Sequence, residues 1–303
     1  MTDRVRGLLG LLGLLGVAAL LVAGVVAAAT SSRGSASIVV GSKNFSESWI
    51  LAEIYAQRIE RQTGLTVRRR HALGGTLLAF EGLKSGALDL YPEYTGTGLV
   101  SILGEPVSSD ASTVLPTVRE AFARRWSMTW LSPQAFNNSY ALAMPRDRAE
   151  ALRLTKVSQL VEHPDLVPGF ATEFVARDDG WPGLTAHYGL SPNAEPKAME
   201  AGLMYQAAAA GEVDLISAYA TDARIDKFDL FVLQDDKGFF PPYQATPLLA
   251  PGLPERHPEI VEALAPLGGL LDDAEMRRLN ARVDIDKRDP ADVAREFLDA
   301  AGL

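Results

Sequence analysis

The sequence predicts an α/β fold with two similar lobes, and three observations support this prediction. Short apolar runs rich in Val, Ile and Leu alternate with helical stretches, which is typical of parallel sheets with crossover helices. A Gly-x-x-Asp-Leu segment followed by a tyrosine occurs at 86–94 and again at 211–219, an offset of 125 residues. The length of 303 residues is sufficient for two domains.

The composition is that of a folded protein, with 47% apolar and 22% charged residues. The formal net charge is −9, and residues 1–35 carry +2, so the remainder carries −11. An acidic body argues against nucleic acid as a partner and favours a cationic ligand. The sequence has no cysteine, which excludes disulfides, thiolate metal sites, cysteine catalysis and a lipid-anchored amino-terminal cysteine.

Residues 1–35 are predicted to be an export signal that is not part of the fold. Arg4 and Arg6 precede an uninterrupted apolar run at 7–29, and Ala27-Ala28-Ala29 has the small-x-small form of a cleavage site. The run is long enough to span a bilayer, so an uncleaved membrane anchor is the alternative. In either case the rest of the chain is expected outside the cytoplasmic membrane, in the periplasm.

The first part of the body predicts strands separated by helices. The strands are predicted at 38–40, 65–71, 88–91 and 128–131, and the helices at 46–63, 77–85, 98–103 and 112–126. Ser46 is the expected N-cap of the first helix and Gly64 its stop. Pro92 is expected to end the third strand, because proline has no amide hydrogen to donate. The glycines before Thr76 leave backbone amides available for a carboxylate.

The second part of the body repeats this organisation. Strands are predicted at 140–144, 166–171 and 213–218, with helices from 172 and at 198–210. The aromatic and proline-rich segment 239–243 is expected to be a crossing between lobes. The remainder, 254–303, is predicted to be helical with Asp272 and Asp289 as caps.

No catalytic or metal-binding pattern is visible in the sequence. The four histidines lack ligand spacing, and neither a Gly-x-Ser-x-Gly elbow nor a phosphate loop occurs. The acidic pairs at 178–179 and 235–236 stand beside glycines and are expected to make turns. The prediction is therefore a protein that is not an enzyme and holds no cofactor and no metal. An exported enzyme that uses the same cleft is the competing hypothesis.

Seven segments together resemble the glycine betaine, carnitine and choline binding family of ABC importer substrate-binding proteins. They are GSKNF (41–45), GGT (74–76), LKSGALDLYPEYTGT (83–97), NNSYAL (137–142), EFVARDDGWPGL (173–184), AYATD (218–222) and DDKGFFPPY (235–243). The resemblance implies a type II periplasmic-binding fold, with two lobes that are each a mostly parallel sheet flanked by helices. Two hinge crossings join lobe 1 (36–138 and 243–303) to lobe 2 (139–242).

The resemblance also implies a binding site for a trimethylammonium compound. Its positions are an aromatic cage of Tyr94, Tyr140, Tyr219 and Tyr243, carboxylate receptors Lys43, Thr97 and Arg177, and Asn138 beside the cationic head. These residue types fit the chemistry independently, because a quaternary ammonium has no N–H to donate and is bound by aromatic faces. A carboxylate at the other end of the ligand is bound by charge-assisted hydrogen bonds. The neighbouring Tyr91 is expected to pack in the core.

The leading hypothesis is a monomeric periplasmic protein that captures glycine betaine or a related quaternary amine for osmoprotectant uptake. It would deliver the ligand to an ABC permease in the membrane, and a separate ATPase would act only indirectly. Choline, and trimethylammonium zwitterions such as a betaine of histidine, are the alternative ligands. Arg177 and Lys43 favour a ligand that carries a carboxylate.

Overall fold

The computed structural model describes residues 37–303, which form two five-stranded sheets flanked by helices. The predicted export segment at 1–35 lies outside the described residues. Within 37–303, none of the helices combines the length and the apolar character needed to cross a membrane.

The ten strands divide evenly between the two sheets. They are β1 (Ile38–Gly41), β2 (Val67–Arg70), β3 (Leu90–Tyr94), β4 (Thr129–Trp130), β5 (Tyr140–Pro145), β6 (Pro168–Ala171), β7 (Lys197–Met199), β8 (Leu215–Tyr219), β9 (Leu230–Leu233) and β10 (Ala245–Leu249). The first sheet has the order β2-β1-β3-β10-β4, and the second has the order β7-β6-β8-β5-β9. The predicted α/β fold is confirmed.

Each sheet is mixed, and four of its five strands run in the same direction, as the prediction of mostly parallel sheets requires. In the first sheet β1 is parallel to β2 and β3, and β10 is antiparallel to β3 and β4. In the second sheet β6 is parallel to β7 and β8, and β5 is antiparallel to β8 and β9. The antiparallel strands β5 and β10 are the two that enter a sheet directly from the other sheet. No crossover helix precedes either strand to bring the chain back to the edge at which the neighbouring strands begin. Both strands therefore run opposite to their neighbours.

Twelve helices flank these sheets within the described residues. They are α1 (Ser46–Thr63), α2 (Thr76–Lys84), α3 (Ala111–Trp126), α4 (Arg146–Leu152), α5 (Thr172–Ala176), α6 (Trp181–Tyr188), α7 (Leu203–Ala209), α8 (Arg224–Lys227), α9 (Leu253–Arg256), α10 (Pro258–Leu264), α11 (Asp273–Asp284) and α12 (Pro290–Ala301). Shorter helical turns occur at Thr95–Thr97, Gly98–Ile102, Val157–Glu162 and Ala265–Leu267.

The predicted helix ends are confirmed in three cases and wrong in one. Gly64 ends α1 in the left-handed region, with φ of 69°. Asp272 and Asp289 cap α11 and α12 by accepting hydrogen bonds from backbone amides. Ser46 is not the N-cap of α1, because Phe45 holds that position and the Ser46 hydroxyl donates to Asp284 instead, at 2.6 Å.

The predicted helix at 198–210 is also wrong in its first part. Lys197–Met199 is the edge strand β7, and Ala198 pairs with Phe170 of β6. Pairing with a neighbouring strand here outweighs the helix propensity of an alanine-rich stretch, and α7 begins only at Leu203.

Pro92 does not end the third strand, which continues through it to Tyr94. Pro92 lies opposite Pro247 in the antiparallel pairing of β3 with β10. Residues opposite each other in such a ladder alternate between hydrogen-bonded and non-hydrogen-bonded pairs. Two prolines that face each other at a non-hydrogen-bonded pair therefore cost the ladder no donor.

The repeat at an offset of 125 residues is confirmed as one structural unit built twice. Gly86 and Gly211 turn the chain with φ of 74° and 71°. Asp89 then accepts the amide of Val39 at 2.8 Å, and Asp214 accepts that of Val167 at 2.9 Å. Each aspartate thereby joins the residues just before a strand to the backbone at the start of the strand beside it.

The chain passes between the sheets twice, at 131–139 and at 234–244, and the two crossings lie side by side. The amide of Asn138 donates to the carbonyl of Tyr243 at 3.2 Å, and the amide of Tyr243 donates to Asn137 Oδ1 at 2.7 Å. We propose that the lobes divide within these crossings, at 138/139 and 242/243.

The carboxyl-terminal helices pack against α1. Gln57 donates to the carbonyl of Ala291 at 2.8 Å, and Arg61 donates to that of Leu303 at 2.7 Å. Residues 253–303 therefore complete the core on the outer side of the first sheet, although they follow the whole second sheet in sequence.

Candidate ligand-binding site

A cavity of about 690 Å³ opens where the carboxyl ends of β1, β3, β6 and β8 face each other. This edge is where ligands bind in open α/β sheets, because loops and helix starts converge there. The eight predicted site residues all line the cavity: Lys43, Tyr94, Thr97, Asn138, Tyr140, Arg177, Tyr219 and Tyr243. Their roles in binding a ligand remain a prediction.

Three of the four tyrosines form one aromatic cluster. Tyr140 begins β5 and Tyr219 ends β8, and the two are opposite each other in the strand pairing. Such partners project from the same face of a sheet, and their ring centroids are 5.3 Å apart. The ring of Tyr243, from the second crossing, lies 5.4 Å from that of Tyr140.

The fourth tyrosine, Tyr94, is held separately at the end of β3. Its ring centroid lies 6.0 Å from that of Phe45, a further aromatic residue of the cavity wall that the sequence reasoning did not single out. The Tyr94 hydroxyl donates to Oε1 of Glu47 at 2.8 Å. Only 4% of the Tyr94 surface is exposed, so the ring is fixed in place.

Burial keeps the phenols of the cavity un-ionised. It raises the pKa of Tyr140 to about 12 and raises the pKa of Tyr94, Tyr219 and Tyr243 well above their ordinary value. All four rings are therefore neutral at physiological pH and present the electron-rich faces that attract cations.

Lys43 follows β1 and forms a buried ion pair with Glu93. Its ammonium lies 2.5 Å from Glu93 Oε1 and 3.2 Å from the hydroxyl of Thr76. Tyr91 and the amide of Tyr94 also donate to Glu93, which confirms Tyr91 as a structural residue. The ammonium lies 5.3 Å from the centroid of the Tyr94 ring.

Arg177 follows α5 and forms a buried ion pair with Asp179. Its Nε and Nη2 bond the two carboxylate oxygens at 2.7 and 2.5 Å. Burial opposes ionisation, but Tyr140, Asp179 and Tyr243 together hold the pKa of Arg177 well above its ordinary value. The prediction that Asp179 only makes a turn is wrong, because it is fully buried and also accepts the Tyr243 hydroxyl at 2.7 Å.

Thr97 and Thr76 provide contacts across the cleft. The Thr97 hydroxyl, on the helical turn after β3, accepts from Nη2 of Arg177 at 3.3 Å. The amide of Thr76, at the start of α2, donates to Oε1 of Glu173 at 3.0 Å. The expectation that this helix start binds a carboxylate is thus met by Glu173 of α5, the helix that follows β6.

Glu47 is the buried residue that connects most parts of the site, and the sequence reasoning missed it. It is 3% exposed and accepts hydrogen bonds from four side chains. The donors are Tyr94, Asn138, Thr221 and Asn280, which come from the first sheet, the first crossing, the loop after β8 and α11. Burial raises the pKa of Glu47, against the lowering effect of these four bonds.

Comparison with known proteins places this chain in a family. Residues 36–300 match the family model described as the substrate binding domain of ABC-type glycine betaine transport system. The chain is 38% identical to a glycine-betaine-binding protein of Pseudomonas aeruginosa, with 86% of each chain covered. It is 33% identical to the carnitine transport binding protein OpuCC of Listeria monocytogenes, with 86% of this chain and 85% of that protein covered.

A solved structure has the same two-lobed architecture. It is described as the crystal structure of a glycine betaine/carnitine/choline ABC transporter, with a TM-score of 0.73 and 30% sequence identity. The alignment covers 88% of this chain and 98% of that one.

Proposed function

The chain belongs to the family of substrate-binding domains of ABC-type glycine betaine transport systems, and we propose that it captures glycine betaine or a related quaternary ammonium compound in the cavity between its two sheets. The family is one of transport proteins rather than enzymes. In our proposal the protein acts outside the cytoplasmic membrane as a monomer and delivers its ligand to an ABC permease. Its amino-terminal segment serves as an export signal or an anchor.

The observation that best supports this proposal is the convergence of four neutral tyrosine rings and the guanidinium of Arg177 on the same cavity. Aromatic faces attract a quaternary ammonium, at about 0.5–2 kcal/mol for each contact. Arg177 can bind a carboxylate at the other end of the ligand. Because these groups come from both sheets, a ligand that contacts them all favours the closed arrangement of the lobes.

A second ligand class, a cation without a carboxylate such as choline, is favoured by one specific observation. The ammonium of Lys43 and the guanidinium of Arg177 already pair with Glu93 and Asp179. Less unpaired positive charge is therefore available to a ligand carboxylate than the sequence alone indicated.

Calorimetric titration with glycine betaine, carnitine, choline and proline betaine tests the proposal. We expect micromolar binding of at least one of them, which is within the range that so small a ligand can reach. Tyr219→Ala and Arg177→Ala should each weaken betaine binding at least tenfold. Absence of binding by all four compounds would reject the ligand class, and unchanged affinity in both variants would reject the site. Turnover of a ligand without a partner protein would support the enzyme hypothesis.

A further inference from the structure

Three cations of the cavity wall each have a carboxylate of their own. Lys43 pairs with Glu93, and Arg177 pairs with Asp179. Arg224, also on the wall, pairs with Asp222 at 2.5 Å. These pairs contribute no net charge to the site.

Glu47 differs from these carboxylates because its four hydrogen-bond donors are all neutral. They are two amides, Asn138 and Asn280, and two hydroxyls, Tyr94 and Thr221. Within residues 37–303, no lysine, arginine or histidine makes an ion pair with it. A buried carboxylate is costly to leave without a counter-charge, so this position requires an explanation.

The hydrogen bonds favour the ionised form of Glu47 and act against the burial that raises its pKa. The amide nitrogen of Asn280 donates to Oε2 at 3.1 Å and also to the backbone carbonyl of Thr221 at 3.0 Å. Because the Thr221 carbonyl can only accept a hydrogen bond, it is the NH2 group of the Asn280 side chain that lies between it and Glu47. Each oxygen of Glu47 thus accepts two hydrogen bonds, which satisfies the lone pairs of a carboxylate.

Glu47 lies directly behind the cavity wall. Two of its donors, Tyr94 and Asn138, line the cavity. A cation on the face of the Tyr94 ring would lie roughly 8 Å from the carboxylate, given that cation–π contacts extend to about 6 Å from the ring centroid. At the effective dielectric constant of about 20 that applies to such sites, unit charges at this distance attract each other enough to change an affinity roughly tenfold or more.

We propose that Glu47 is the counter-charge for the cationic head of the ligand and acts through Tyr94. The hydrogen bond from the Tyr94 hydroxyl to a carboxylate increases the electron density of the ring and fixes its orientation. Glu47 thereby selects a positively charged head over a neutral group of the same shape. This inference rests on the proposed function, because it requires an ammonium ligand in the cavity.

The test compares two ligands that differ only in this charge. Glycine betaine and 3,3-dimethylbutanoate have the same shape and the same carboxylate, but carbon replaces the ammonium nitrogen in the second. The ratio of their dissociation constants, measured by calorimetry, reports how strongly the site selects the charge. Should choline be the ligand, 3,3-dimethylbutan-1-ol is the matching neutral compound.

We expect Glu47→Gln to reduce this ratio about tenfold, mainly through weaker binding of glycine betaine. Glutamine keeps the size of the side chain and removes its charge. Glu60→Gln is the matched control, because Glu60 is also on α1 but pairs with Arg69, and neither residue lines the cavity. The ratio of this control should equal that of the wild type.

An unchanged ratio in Glu47→Gln, with both ligands weakened equally, would show that Glu47 is only structural and would overturn the proposal. If Glu47→Gln does not fold, Tyr94→Phe provides the same test, since it keeps the ring and removes the hydroxyl that joins it to Glu47. Its ratio should fall about threefold, and an unchanged ratio would overturn the proposal. If the wild type binds no quaternary ammonium compound, the proposed function fails and this inference fails with it. If the wild type binds but the ratio survives the substitutions, only this inference fails.

Discussion

The two sheets each place a buried ion pair on the cavity, and the pairs differ in what their cations leave free. Lys43 is enclosed by its own sheet, with 4% of its side chain exposed and Glu93 and Thr76 as partners. Arg177 gives one edge of its guanidinium to Asp179 and remains 12% exposed. It also reaches Thr97, on the helical turn that follows β3 of the other sheet.

This difference separates two roles that the sequence assigned to both residues. A guanidinium is a rigid fork with five donors, so it can hold one carboxylate and still offer N–H groups to another. An ammonium is a compact point charge, and the nearby carboxylate of Glu93 cancels most of its attraction for a second anion. We therefore expect Arg177 to bind the carboxylate of the ligand and Lys43 to fix the Tyr94 wall.

The largest expected effect concerns stability. Arg177→Met and Lys43→Met should each lower the free energy of unfolding by about 3–5 kcal/mol, because each leaves a fully buried carboxylate without its partner. Urea unfolding measures this effect. Arg124→Met is the matched control, since its pair with Glu120 is exposed and should contribute less than about 1 kcal/mol. Buried variants no less stable than this control would contradict the prediction.

The second prediction tests the separation of roles directly. Removal of a whole pair avoids an orphaned charge, so ligand affinity can be compared between two double variants. Arg177→Met with Asp179→Asn should weaken glycine betaine binding at least tenfold, because the receptor fork is lost. Lys43→Met with Glu93→Gln should change it less than about threefold. Equal losses in the two calorimetric titrations would mean that Lys43 is also a receptor.

The third prediction concerns the contact between the two walls. A Cβ atom on Gly75 would lie 1.9 Å from Oε1 of Glu173, so Gly75→Ala should displace this carboxylate from the amide of Thr76. We expect about threefold weaker ligand binding, because a contact that favours the closed lobes is lost. In a Glu173→Ala background the same substitution should have no further effect. An equal effect in both backgrounds would place its cause elsewhere.

The smallest expected effect comes from a half-buried ion cluster, which serves as the reference for the buried pairs. Hydrogen bonds from Arg288 and Arg282 lower the pKa of Glu296 to about 2. Its contribution to stability is therefore complete above its ordinary pKa of 4.5 and is lost as the pH falls towards 2. Glu296→Gln should slightly lower the thermal midpoint at pH 7, and the difference from the wild type should shrink between pH 4.5 and pH 2. A difference independent of pH would contradict this assignment.

The features that sequence reasoning predicted are those encoded by neighbouring residues. The α/β class and the repeated unit depend on local alternation and on glycine turns such as Gly86. Tyr94 and Tyr219 follow from the ends of the repeated strands, where side chains face the cleft. Tyr140 and Tyr243, in contrast, were predicted only through the family resemblance.

The partners of the site residues could not be predicted, because they are distant in sequence. Glu47 and Thr221 meet across 174 positions, and no local pattern marks either residue. Asp179 stands in a sequence typical of a turn, so its burial beside Tyr243 could not be predicted from its neighbours. The prediction for Pro92 was wrong for the same reason. The strand can continue through Pro92 because Pro247, which lies far away in sequence, is opposite it in the ladder.

The packing of the carboxyl-terminal helices against α1 has a consequence for the order of folding. Gln57 and Arg61 of α1 lack their hydrogen-bond partners until residues 253–303 have been made. Contacts this distant in sequence slow folding, because a long loop must close before they form. The second sheet is built from one continuous stretch, 140–233, so we expect it to form first. The first sheet, with Tyr94 and Glu47, is then completed last.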